Sequence, residues 1–107
     1  MKLYRIFIPK TFNDKTKIPF KKIQKIAEEI EERFGAYSLD PFVHLPVVQG
    51  SWKGSGGLKY EEEHFLFELF LEDTFENKKW ITAYKEMIRQ NLEQKEIFIL
   101  EINAEVV

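Results

Sequence analysis

Apolar and polar positions along the chain fall into six segments with different periods. From Lys2 to Ile8 the apolar residues Leu3, Tyr4, Ile6, Phe7 and Ile8 occupy both parities, which predicts a strand covered on both faces. Pro9 ends it, and a polar loop runs from Lys10 to Lys17. Between Ile18 and Phe34 the period changes. Phe20, Ile23, Ala27, Ile30 and Phe34 step by three and four, and Ile26 widens the stripe, so a helix with one buried side is expected. Thr16 is the expected N-cap, Pro19 is tolerated in the first turn, and Gly35 falls where a left-handed residue ends a helix.

The stretch from Ala36 to Trp52 is extended but irregular. Pro41 and Pro46 cannot donate to a ladder, so it predicts an edge strand, in one piece or two. Lys53-Gly54-Ser55-Gly56-Gly57 predicts a turn. The following strand ends near Glu72, and its run from Phe65 to Leu71 is the most apolar in the chain, which marks a central strand. Asp73 or Thr74 opens a second helix, with Trp80, Ile81, Tyr84, Met87, Ile88 and Leu92 at helical spacing and an end near Gln94. A last strand covers Ile97 to Ile102.

The order β-α-β-β-α-β holds two right-handed crossovers joined by a hairpin. It predicts a single ferredoxin-like α+β domain over residues 1–107, an antiparallel sheet of four strands with both helices on one face. The first and third strands are then central, and they are the two most apolar ones.

Helices cover one side of such a sheet, which turns attention to the other. Alternation sends Phe65, Phe67, Leu69 and Leu71 toward the helices and His64, Leu66, Glu68, Phe70 and Glu72 to the open side. In the first strand the set containing the charge, Leu3, Arg5 and Phe7, is placed outside. The last strand is expected to add Ile97, Ile99 and Glu101 there. An apolar face of this kind usually marks an interaction surface. It predicts an interface built from Leu3, Phe7, Leu66, Phe70, Ile97 and Ile99, and a homodimer packed sheet to sheet.

Charge narrows the partners. The formal net charge is −2, and the open side carries Glu68, Glu72 and Glu101, which repel phosphate; RNA reading through this sheet is not expected. With no cysteine, disulfides and thiolate metal sites are excluded. No apolar run approaches the ~20 residues that span a bilayer. The first residues are too short and too charged for a signal peptide, so a cytoplasmic protein is expected. Of 16 basic residues 13 are Lys, and of 18 acidic ones 15 are Glu, a bias that fits a prokaryotic thermophile. No Gly-x-Ser-x-Gly elbow, phosphate loop or dinucleotide fingerprint occurs.

Several side chains carry candidate chemistry. Lys10, Lys15, Lys17, Lys21, Lys22 and Lys25 crowd the first loop and helix start against Asp14 alone, so Lys17, Lys21 and Lys22 are candidate anion ligands. The competing reading is a solvated basic face that pairs with Glu28, Glu29, Glu31 and Glu32. A hairpin turning about Gly54 would set His44 opposite His64, with Glu62 or Asp40 near, but no third ligand has diagnostic spacing and no metal is expected. Glu61-Glu62-Glu63 points alternately to both faces and reads as a solubilising edge. Trp52, next to the turn, either packs on the core or is displayed for binding.

Arg33-Phe34-Gly35-Ala36-Tyr37-Ser38, then Gly50-Ser51-Trp52, then Leu92-Glu93-Gln94-Lys95-Glu96-Ile97 follow one another in the order Phe-Gly-x-x-Thr, Gly-x-Trp, Gln-Glu. In this the chain resembles a group of small uncharacterised bacterial and archaeal proteins, domains of unknown function. Ser38 stands where Thr is usual and Lys95 where Glu would follow Gln94. The resemblance implies a compact α+β fold with no assigned activity or catalytic residues, and it singles out Trp52 and Gln94.

Three functions follow as expectations. The first is a self-associating module that binds itself or a protein partner through the open sheet. The second is a small-ligand enzyme or sensor, with a pocket between the sheets of a dimer containing His64, Arg5, Glu68 and Trp52. The third, set behind these, is anion or nucleotide binding at the lysine-rich helix start. No cofactor is expected.

Overall fold

In a computed structural model the protein is described over residues 1–49 and 58–107, with the backbone alone for 42–49 and 58–62. The elements are β1 (Lys2–Pro9), α1 (Phe20–Phe34), β2 (Ser38–Gln49), β3 (Leu58–Leu71), α2 (Phe75–Asn91) and β4 (Phe98–Asn103). All strand pairs are antiparallel and the sheet order is β2-β3-β1-β4, the ferredoxin-like arrangement. The two central strands are the two most apolar, as expected from the sequence.

The core lies between the helices and one sheet face. Ile6, Ile8, Ile30, Phe67, Leu69, Ile88, Leu92 and Ile97 are almost wholly removed from water. The helical stripe works as its spacing requires, with Ile23, Ile26 and Ile30 of α1 and Ile81, Tyr84 and Ile88 of α2 buried. Phe34 meets the Trp80 ring edge-on at 4.9 Å, and Trp80 stacks on Tyr84 at 4.5 Å, which locks the two helices together. Phe20 departs from the stripe: it is 67% exposed at the first position of α1, one turn before the helix reaches the core.

Helix ends differ from expectation in one respect. Thr16 does not cap α1. Its amide and hydroxyl both donate to Oδ1 of Asp14, and the helix starts later, after Pro19, with no side-chain cap. The Thr74 hydroxyl caps α2 as expected, accepting from the Asn77 amide at 3.1 Å. Gly35 ends α1 with φ +83° and donates its amide to Glu31 O at 2.7 Å.

β2 is one continuous edge strand with a register shift between Asp40 and Val43. Pro41 sits inside that bulge, where a missing donor is harmless. No helix among the described residues is long and apolar enough to cross a membrane.

Candidate functional site

Helices cover one face of the sheet, and the other presents the side chains that a function can use. β1 contributes Leu3, Arg5 and Phe7 and β3 contributes His64, Leu66, Glu68 and Phe70, as alternation predicts, because Leu3 pairs with Phe70, Arg5 with Glu68 and Phe7 with Leu66. Near the middle, Arg5 Nε donates to Glu68 Oε2 at 3.0 Å, with side chains 41% and 31% exposed. Phe70 at 47%, Phe98 at 46% and Leu100 at 37% exposure flank this pair. Phe7 is nearly buried because the ring edges of Phe98 and His64 close over it, at 5.9 and 6.5 Å between centroids.

The last strand corrects an expectation. Ile97 and Ile99 do not face the open side. Ile6 pairs with Ile99 and Tyr4 with Glu101, so these residues share the helix side, where Ile97 is buried and Ile99 packs on the core. Phe98, Leu100 and Ile102 face outward instead. Glu101 lies on the helix side at the sheet margin, where the Tyr4 hydroxyl donates to it at 3.0 Å and Lys78 of α2 approaches to 3.8 Å. Burial and this carboxylate push the Tyr4 hydroxyl up to about 12.

The proposed ligand set is divided. Arg5 and Glu68 touch, whereas His64 is paired with Pro9, four residues from Glu68 along β3, or about 13 Å at the rise of a strand. His64 is also not opposite His44: Val43 pairs with His64, and His44 with Glu63. Among the described residues no three of His, Asp and Glu gather as a metal site. Trp52 and the turn from Lys53 to Gly57 lie outside the described residues. Beside Glu68, Leu3, Ala36, Tyr37, Ser38 and Phe70 border an open hollow of about 370 Å³. The sequence offered no signal for the hollow, whose wall of Ala36, Tyr37 and Ser38 follows directly on the left-handed Gly35 that ends α1.

The lysines at the start of α1 are likewise divided. Lys22 Nζ donates to Asn91 O at 2.9 Å, so its charge satisfies the C-terminal end of α2 rather than opposing the dipole of its own helix. Lys21 is exposed on the first turn. Lys17 instead lines a cavity of about 610 Å³ with Lys10, Lys15, Thr11, Ile18, Phe20, Ile23, Glu63 and Phe65. Gln94 bonds to Thr11 O at 3.4 Å and Leu92 O at 3.0 Å, and Asn13 to Glu93 O at 3.2 Å, which ties the first loop to the α2–β4 connection.

Topology and the uncovered sheet define a ferredoxin-like α+β domain. No family model matches the chain, and no curated protein matches it. Among solved structures it is similar to a phage SAM lyase in complex with S-methyl-5'-thioadenosine, with a TM-score of 0.58 and 14% identity over 96% of this chain and 89% of that one. The likeness is one of fold.

Proposed function

We propose that the protein is a self-associating module, a homodimer whose copies pack open sheet to open sheet. One observation carries this: Phe70, Phe98 and Leu100 are each more than a third exposed on either side of the paired Arg5 and Glu68. A second copy fits this surface better than nucleic acid. A two-fold axis near the pair would set each Arg5 against the other copy's Glu68, whereas Arg5 is the single Lys or Arg among the described residues of this face. Light scattering on a sizing column tests it. A dimer that Phe70→Glu converts into folded monomers supports the interface; a wild-type monomer at all concentrations overturns it.

A second reading rests on the hollow beside Glu68. Tyr37 and Phe70 offer aromatic surface, Ser38 a hydroxyl and Glu68 a carboxylate, a set suited to an uncharged or cationic ligand with a flat ring. The phage lyase of the same fold binds such a molecule, S-methyl-5'-thioadenosine. The second copy would close the open side of the hollow. Equilibrium dialysis with S-methyl-5'-thioadenosine tests this reading: binding that Glu68→Gln weakens supports it, and no binding by the dimer refutes it.

A further inference from the structure

We infer that the outer edge of β4 docks a second copy of this chain, paired antiparallel about Leu100, so that two sheets of four strands join into one of eight. The two edges of the sheet are built differently. β2 carries Pro41 and Pro46, which have no N–H to offer, and its ladder shifts between Asp40 and Val43. β4 has no proline or glycine, and its six pairs with β1 run without a shift. One bond fixes which of its backbone groups point away from β1. Ala104 donates its amide to Met1 O at 3.0 Å, so Met1 and Ala104 form a hydrogen-bonded pair, and by alternation so do Leu3 and Ile102, Arg5 and Leu100, and Phe7 and Phe98. The N–H and C=O groups of Ile99, Glu101 and Asn103 therefore face outward, and among the described residues no partner reaches them.

The strand that matches this edge, apolar at every second position and free of proline, is present in every copy as β4 itself. Outward groups must meet outward groups, which leaves two antiparallel registers of long overlap, one centred on Leu100 and one on Glu101. Centred on Glu101, the two carboxylates stand directly opposite, which is destabilising. Centred on Leu100, Ile99 of each copy exchanges both backbone bonds with Glu101 of the other, and Leu100 meets Leu100 in the closer, non-hydrogen-bonded position. Phe98 then lies opposite Ile102, and these apolar side chains of both copies run as one stripe across the open side. Phe98 is 46% and Leu100 37% exposed in the single chain, and the pairing covers part of that surface. Each Glu101 keeps its contacts with Tyr4 and Lys78, which reach it from its own copy. The edges left over are the two β2 strands, whose prolines oppose further addition, so the assembly closes. The pairing does not rest on sheet-to-sheet contact, since it joins the sheets side by side rather than face to face.

Amide hydrogen exchange followed by NMR reads the pairing directly, because in the single chain the amides of Ile99 and Glu101 face water while those of Leu100 and Ile102 are held by β1. Exchange at Ile99 and Glu101 should slow about threefold between about 0.05 mM and about 1 mM chain, as a dissociation constant of tens of micromolar requires. Glu101→Pro removes an outward donor and no bond to β1, so the slowing at Ile99 should vanish while Leu100 and Ile102 stay protected. Glu101→Gln keeps the donor and should keep the slowing, which separates loss of the N–H from loss of the carboxylate. Phe70→Glu, the variant that breaks the open-face contact, should also leave the slowing intact, so the two contacts stand or fall separately. Exchange at Ile99 and Glu101 that is independent of concentration overturns the inference. So does slowing that Glu101→Gln or Phe70→Glu abolishes, or slowing that survives in folded Glu101→Pro. The wild-type series and Glu101→Gln decide the matter even where the proline variant does not fold.

Discussion

Replacing Gly35 by alanine isolates one physical term. At φ +83° an added Cβ meets no heavy atom within 4 Å, so there is no clash to relieve and no cavity to fill. What remains is the cost of holding an L-residue in the left-handed region, roughly 1–2 kcal/mol. The unfolded chain loses freedom in the variant, which returns about 0.4–1 kcal/mol. Gly35→Ala should therefore destabilise by about 1 kcal/mol, or about 4–8 °C in melting temperature for a domain near this size. Urea unfolding should show a lower midpoint with an unchanged slope, since the surface exposed on unfolding is the same. Gly35→Asn should lose less, because asparagine enters this region more readily. An alanine variant as stable as wild type would refute the reasoning, and with it the left-handed turn that brings Tyr37 and Ser38 to the hollow.

Two further predictions concern the polar contacts. Gln94→Ala removes its bonds to Thr11 O and Leu92 O. It should cost about 1–2 kcal/mol and speed hydrogen exchange across residues 10–18; unchanged exchange there would show that Gln94 does not hold the loop. The Tyr4 hydroxyl is raised from 10.0 to about 12 by burial and by Glu101, so the folded state holds its proton more tightly than the unfolded state. The stability it contributes is complete below pH 10 and is lost as pH rises through about 12. Tyr4→Phe should flatten the decline of the urea midpoint in that window, and a decline as steep as wild type would contradict the assignment.

The order of elements was legible in the sequence because each period was unambiguous: threes and fours in α1, and an apolar run in β3 too long to be exposed. Face assignment was legible where a charge interrupted one parity of a central strand, as at Arg5. It failed in β4 because an edge strand meets the margin of the helical layer, where Glu101 can sit on the covered side and still reach Tyr4 and Lys78. The hairpin register was off by one: Gln49 already pairs with Leu58, and that register runs unbroken to Val43 opposite His64, so the offset is set on the turn side and the bulge at Pro41 adds a further residue only beyond it. Of the basic cluster, spacing showed the excess of lysines. It could not show that Lys22 would reach across to Asn91 while Lys10 and Lys15 joined Lys17, since those choices depend on the packing of α2 and the small hairpin.

The placement of β1 also governs synthesis. Its partner on one side is β3, and on the other it is the last strand, β4. As the chain leaves the ribosome, Tyr4, Ile6, Phe7 and Ile8 emerge early but have no sheet neighbour until Phe65 to Leu71 follow, and the second neighbour comes only with Phe98 to Asn103. The domain therefore completes its sheet only once β4 has been made, and until then the β1 segment is a natural client for chaperones that shield apolar strands.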